Sequence, residues 1–381
     1  MSVSLQCEFW AVGQGLFSSG KILSGGNPTF SWVYDCGTVS RKIFLENAID
    51  QMVSQYSEPE LDLLVISHFD KDHISGLPYL LGKKSANYWL LPYAPLWQRL
   101  LILLMQDNDI QEDEFEFYLN PIQYLETHYP EAIQGKTILL VPSTEQAVRV
   151  SENHDDNDVF YFVPQDPQDE TMADEVALWN RKSKAEVTVV DPTKAMQHQG
   201  VESIPYNMPL SYLPKQSANL NQFQIDVQNI VQSNLSTQNK IKQLRHHYDQ
   251  HFGKHSLNRN IISLFLYIST VLPTNQKPSK QKTAVLYCGD GDLHNPLYVD
   301  LLENALTPAR FTNIYVFQVP HHGAESNSYN GLAQHIQPAT SIFSARPDDK
   351  RYSHPSSQVL RDFAAYRPQI TDTTNTISFS I

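Results

Sequence analysis

Apolar positions in the first 95 residues fall in short runs that close on small or polar residues. The stretch SLQCEFWAV reads as a strand, and GQG at 13–15 predicts a turn that needs permissive backbone. FSWVYDCG (30–37) reads as a second strand closing on Asp35 and Gly37. Over 42–56, apolar residues recur at Ile43, Phe44, Ala48, Ile49, Met52 and Val53, which is helical spacing. LDLLVIS is continuously apolar, as a strand buried on both faces should be. Strand, helix and strand in succession place the next residues just beyond a strand's C-terminal end, where layered α/β folds put their sites.

The pattern changes over 96–257. Helical runs come first (LWQRLLILLMQ, then EDEFEFYLNPIQYLETHY), and an acidic stretch at 152–175 is expected as surface loop. The segment 230–255 reads as one or two basic helices. No internal repeat is visible, so this region is expected to be an insertion or cap. From 258 onward short strands return in NIISLFLYI, KTAVLYCGDGD, NIYVFQVPHHG, TSIFSARPDD and NTISFSI, with helices expected at 296–304, 327–336 and 355–365. Residues 1–95 and 258–381 are thus expected to form two halves of one α/β sandwich.

Composition adds limits. The 381 residues are 41% hydrophobic and 18% charged, enough for a large core. A net charge of −13 excludes a protein that is basic all over, although not one with a local basic groove. Cys7, Cys36 and Cys288 match neither a zinc finger nor a disulfide framework. The N-terminal stretch lacks the pattern of a signal peptide, and the longest apolar runs fall short of the about 20 residues that cross a bilayer. A cytoplasmic protein without membrane insertion is expected.

Four places carry chemistry. In VISHFDKDHISGLPYLL, His68, Asp70, Asp72 and His73 follow the end of a buried strand. Imidazole and carboxylate are ligands for Zn²⁺ or Mn²⁺, and four within six positions can serve two adjacent ions. A charged turn, with Asp72 capping a helix, is the plain alternative. LYCGDGD ends a strand on Gly289-Asp290, where one carboxylate can bridge two ions and where a turn would also suit. QVPHHG carries His321-His322, one able to bind metal while its neighbour moves a proton. His354 precedes Pro355. Each lies at a predicted strand end, and they recur in both halves, which favours the metal reading. Asp35 is a fifth strand-end carboxylate, placed to orient a ligand histidine.

In that order these motifs resemble the metallo-β-lactamase superfamily, with its H-x-[HD]-x-D-H loop after a buried strand. They look closest to the soluble hydrolase domain related to the DNA-uptake protein ComEC. The likeness rests on VGQG (12–15), Asp35 and Gly37, SHFDKDHISG (67–76), NRNIISLFL (258–266), Gly289-Asp290, PHHG (320–323) and His354-Pro355. The chain departs from that pattern at Leu16 and Ala324, and Asp70 stands where the wider superfamily has a second histidine, although this branch often has Asp there. The resemblance implies a four-layer αββα sandwich with two divalent ions, Zn or Mn. His68 and Asp70 would hold one, Asp72 and His73 the other, with Asp290 between. His321 is taken as a further ligand, and His322 and His354 as catalytic groups, although the sequence does not choose between the tandem histidines. Asn258, Asn260 and Ser326 are expected substrate contacts.

The implied function is hydrolysis of a phosphodiester, in nucleic acid or a nucleotide, through a metal-bridging hydroxide. A basic stretch at 240–259 (Lys240, Lys242, Arg245, Lys254 and Arg259 against Asp249) would steer the phosphate backbone, unless it is simply a solvated helix face. The alternatives are a hydrolase of a small ester, lactone or phosphocholine-type substrate, and a degraded enzyme that binds a protein partner through 96–257.

Overall fold

The computed structural model describes residues 3–105, 110–143, 150–151, 159–162, 170–192, 194–198, 200–208, 211–212, 220–252, 263–270 and 282–381. Two large sheets dominate. The first has eight strands, in the order Ile377–Ser380, Val3–Phe9, Phe17–Ser24, Asn27–Cys36, Glu60–Val65, Ser85–Pro92, Thr137–Val141 and Glu186–Val189. The second has seven: Met196–His198, Val201–Asn207, Leu264–Thr270, Ala284–Tyr287, Ile314–Gln318, Thr340–Ser344 and Pro368–Thr371. Each sheet is antiparallel at one side and parallel at the other, where helices make the crossovers.

Side-chain alternation explains the layering. In Glu60–Val65, Leu63 and Val65 face the second sheet while Leu64 faces outer helices. In Ala284–Tyr287, Val285 and Tyr287 face inward and Leu286 outward. Both strands are therefore buried on both faces, as continuous apolar runs require. Between the sheets, Tyr34 stacks on Tyr287 with ring centroids 4.5 Å apart. The polar tips there are satisfied: Tyr34 donates to the Leu264 carbonyl at 2.6 Å, and the Trp32 indole donates to the Tyr287 hydroxyl at 3.2 Å. Outside the first sheet, Ile49 and Met52 of the helix Lys42–Gln55 pack with Trp89 and Leu100. Outside the second, Val299 and Leu302 of the helix Pro296–Leu306 pack with Phe317 and Phe343. The result is mixed α/β in four layers, helix on sheet on sheet on helix. Each fully buried large side chain in these cores contributes about 1.5–3 kcal/mol.

The region 96–257 is woven into both sheets. Thr137–Val141 and Glu186–Val189 extend the first, and Met196–His198 and Val201–Asn207 the second. Its helices Leu96–Met105, Glu112–Leu119, Pro121–His128 and Thr237–Phe252 pack on the outer face of the first sheet. Within the acidic stretch expected as loop, Val159–Phe162 is a strand and Glu170 opens a helix to Lys182. The strand residues VFYF are β-branched and aromatic, a local preference that the surrounding acids masked. No described helix is long and apolar enough to cross a membrane.

Gly37 lets the 70–73 loop lie against the first sheet. A Cβ there would sit 2.4 Å from the Asp72 carbonyl carbon and 2.4 Å from the His73 nitrogen, both backbone atoms that cannot swing aside. Gly37→Ala is expected to lower stability by about 1–3 kcal/mol, measured by chemical denaturation. Gly82→Ala, whose Cβ would meet only the Pro78 carbonyl oxygen at 3.5 Å and the Tyr79 one at 3.7 Å, should change stability little. Equal effects at the two positions would contradict this packing.

Candidate metal centre

The candidate residues follow the C-terminal ends of parallel strands. Asp35 closes Asn27–Cys36, 67–73 follow Glu60–Val65, Asp290 follows Ala284–Tyr287, His321 and His322 follow Ile314–Gln318, and His354 lies beyond Thr340–Ser344. Several occupy left-handed backbone: Asp35 at φ 53°, Gly289 at 52°, His321 at 48° and His322 at 56°. Such positions persist in non-glycine residues only where surroundings enforce them, and they gather at functional sites.

Asp290 is the centre. Its carboxylate is buried, and its two oxygens face different groups. Oδ1 lies 3.1 Å from His73 Nε2 and 3.7 Å from His322 Nε2, and His322 Nε2 is 3.1 Å from Asp72 Oδ2. Oδ2 lies 3.7 Å from His68 Nε2 and 3.6 Å from His321 Nε2, and His68 Nε2 is 3.9 Å from Asp70 Oδ2. In the first group, ligand atoms of Asp72, His73, Asp290 and His322 all lie within 4.8 Å of one another. Of the tandem histidines, His322 joins Asp72 and His73, while His321 faces the other oxygen of Asp290 and is partly exposed. His354 stands beside them, with ring centroids 5.4 Å from His321 and 6.4 Å from His322.

Each of the four clustered imidazoles donates its Nδ1–H to a fixed oxygen. His73 donates to Asp35 Oδ2 at 2.8 Å, and His68 to the Ser67 hydroxyl at 2.9 Å. His321 donates to Asn327 Oδ1 at 2.7 Å, and His322 to the Ser344 carbonyl at 2.5 Å. The assignment follows from the partners. Asp35 can only accept, the Ser67 hydroxyl donates to Asp35 at 2.6 Å, and the Asn327 amide nitrogen donates to the Asp290 carbonyl at 3.0 Å. All four rings therefore turn Nε2 toward the carboxylates, as anchored metal ligands do.

Residues that the spacing did not single out hold this arrangement. The buried Gln318 accepts from the Cys288 and Gly289 amides, both at 2.7 Å, and donates to the Gly289 and Val319 carbonyls. It ties the Asp290 turn to the histidine turn. Asn327 ties Asp290 to His321. Tyr118, from 96–257, donates to Asp70 Oδ1 at 3.0 Å. A glutamine inside the apolar run VFQVP was a readable signal, since a buried amide must be satisfied; Asn327 and Tyr118 left none. Ser326 donates to Asn327 at 2.7 Å, while Asn258 and Asn260 lie outside the described residues. In the basic helix, Lys240 donates to the Val231 carbonyl, and Lys254 and Arg259 lie outside the described residues.

The electrostatics call for positive charge. Burial would lower the His73 imidazole, but Asp290, Asp35 and Asp72 push it well above its usual value. Burial would raise Asp72, but His73 and His322 hold it down at about 2. Burial, Asp72 and Asp290 raise Asp70 to about 6. Burial and His73 lower His68 to about 4, and burial with His321 and His322 lowers His354 to about 4. The compensating charge is an imidazolium or a cation. The geometry fits a shared cation: His68 Nε2, His73 Nε2 and Asp290 Oδ1 are buried without a hydrogen-bond partner, although the last two are 3.1 Å apart. Atoms about 2.0–2.2 Å from one shared ion stand roughly 3–3.6 Å from each other, close to the spacings found here.

No family model matches the chain, and no curated protein matches it. Among solved structures it is similar to the metallo-β-lactamase fold protein YhfI from Bacillus subtilis, at 8% identity and a TM-score of 0.36 over 99% of this chain and 100% of that one. It is similar to a diphosphatase from the PhnP family, at 8% identity and 0.38 over 99% of each chain. A third is a "possible metal-dependent hydrolase" from Veillonella parvula DSM 2008, at 7% identity and 0.38 over 99% of each.

Asp35 accepts from the Ser67 amide at 2.7 Å, the Ser67 hydroxyl and His73. Asp35→Asn would place an amide donor against an imidazole donor and turn His73 to the wrong tautomer. Zn²⁺ affinity by competition with a chelating dye should fall about ten- to a hundredfold. An unchanged affinity would remove His73 from the ligand set.

Proposed function

We propose that the chain is a metal-dependent hydrolase of the metallo-β-lactamase type that cleaves phosphodiesters in nucleic acid or nucleotides. The observation that carries this reading is the Asp290 carboxylate, with one oxygen turned to Asp72, His73 and His322 and the other to His68, Asp70 and His321. The residues present fit two divalent ions, Zn²⁺ or Mn²⁺, on the two sides of Asp290. Ions held there would supply Lewis acidity and an acidified water.

The chain's own groups do the rest. Asp35 and Ser67 keep His73 and His68 in the ligating tautomer, and Gln318 and Asn327 hold the Asp290 and histidine turns in register. His354, neutral above its lowered pKa, stands next to His321 with its Nδ1 buried and unpartnered. A substrate oxygen that entered beside His321 would be the acceptor that this nitrogen lacks. The ComEC-like branch of the family, with a substrate of DNA or RNA, is the finer assignment that the motif order favours.

The purified chain, supplied in turn with Mn²⁺ and Zn²⁺, should cleave plasmid DNA, a single-stranded oligonucleotide or RNA, and His354→Ala should slow that cleavage. If all three stay intact with every divalent metal while a small ester or lactone turns over, the phosphodiester reading is wrong.

A further inference from the structure

The loop that carries His68, Asp70 and Asp72 has a second face. The residues between them, Phe69 and Lys71, line a separate cavity of about 310 Å³. Its opposite wall is the helix Glu112–Leu119, which turns Asp113, Glu114 and Phe117 to the cavity. The next residue, Tyr118, reaches the other way to Asp70. Tyr124 and Tyr129 close the remaining side. None of the candidate metal ligands lines the cavity. An occupant would rest on the backbone of the ligand loop without entering the metal centre.

Its size falls at the lower end of small-molecule sites, about 300–1,000 Å³. Its chemistry is uneven. Phe69, Phe117, Tyr124 and Tyr129 supply aromatic surface, and Phe117 lies 4.7 Å from Phe69 and 4.9 Å from Tyr124 between ring centroids. Two carboxylates, Asp113 and Glu114, stand against one ammonium, Lys71, so the lining carries one excess negative charge. The first-turn position of the two acids suits the helix N-terminus, which accounts for their presence on the helix. It does not account for a cavity floored by rings beside them. Aromatic faces attract cations, and a carboxylate at the mouth fixes the charged end.

We propose that this cavity is a binding site for a small organic cation with a flat apolar body, of the arylalkylammonium class. The ring of such a ligand packs among Phe69, Phe117 and Tyr124, and its ammonium meets Glu114 and Asp113. This site does not depend on the hydrolase reading. It gives the 96–257 region a ligand of its own, held against the loop that carries the metal ligands.

Tyramine is the probe, with 4-hydroxyphenylacetate as the same ring bearing the opposite charge. Isothermal titration and saturation-transfer NMR on the full chain should show saturable binding of tyramine and none of the acid at the same concentration. Glu114→Gln should weaken tyramine about two- to fivefold, the range for losing one partly exposed charge partner. Tyr124→Ala should weaken it further, with circular dichroism confirming that both variants are folded. Absence of saturable tyramine binding overturns the site. Equal binding of the two probes, or binding unchanged in both folded variants, overturns the assignment to this cavity and its cationic ligand.

Discussion

A buried carboxylate cannot stay ionised alone, and Asp290 is buried where the two sheets meet. Much of the surrounding structure answers that constraint. Four imidazoles turn Nε2 toward it, two to each oxygen. Gly289 adopts φ 52° to aim it, in a space where a Cβ would sit 2.4 Å from the Ser263 hydroxyl and 2.6 Å from that of Ser67. The Ser263 hydroxyl accepts from the Asp290 amide at 3.1 Å, and Asn327 donates to its carbonyl. The energy that fixes this carboxylate comes from both sheets, which is why motifs far apart in the chain belong to one site.

The strand ends were legible because their chemistry is local. A buried strand needs an apolar run, and a metal loop needs imidazole and carboxylate close behind it; both show in 61–73. The helix Lys42–Gln55 was legible by its period. Phe17–Ser24 was not, because FSSGKILS looks polar. Ser18 and Ser19 are buried there, where Ser18 donates to the Glu8 carbonyl and Ser19 accepts from the Trp10 indole. These partners come from a neighbouring strand and the residue beyond it, which local patterning cannot reveal. The tandem histidines show the same limit. Their identity was readable, but their division between the two oxygens of Asp290 depends on left-handed backbone at both positions and on Ser344 and Asn327 as acceptors.

Residues 96–257 differ from the flanking halves in composition, yet they are structurally continuous with them. Four of their strands extend the two sheets, and Asn207 donates to the carbonyls of Tyr93 and Val141 across that seam at 2.9 and 2.8 Å. Tyr118 carries the region to Asp70. By occupying Oδ1, it leaves Oδ2 toward His68, so a residue outside the strand-end motifs sets how one candidate ligand is presented. Asp70 is also where the sequence departs from a second histidine. Carboxylate in place of imidazole favours a harder ion, so under the proposed function the Tyr118–Asp70 pair would bear on metal preference.

In the proposed function one carboxylate, Asp290, joins two metal sites. Elemental analysis of protein loaded with Zn²⁺ or Mn²⁺ and then desalted tests it most directly, with folding checked by circular dichroism. Two ions per chain are expected in the natural sequence, and loss of both in Asp290→Ala. Fewer than one ion per chain, unchanged by Asp290→Ala, would contradict it.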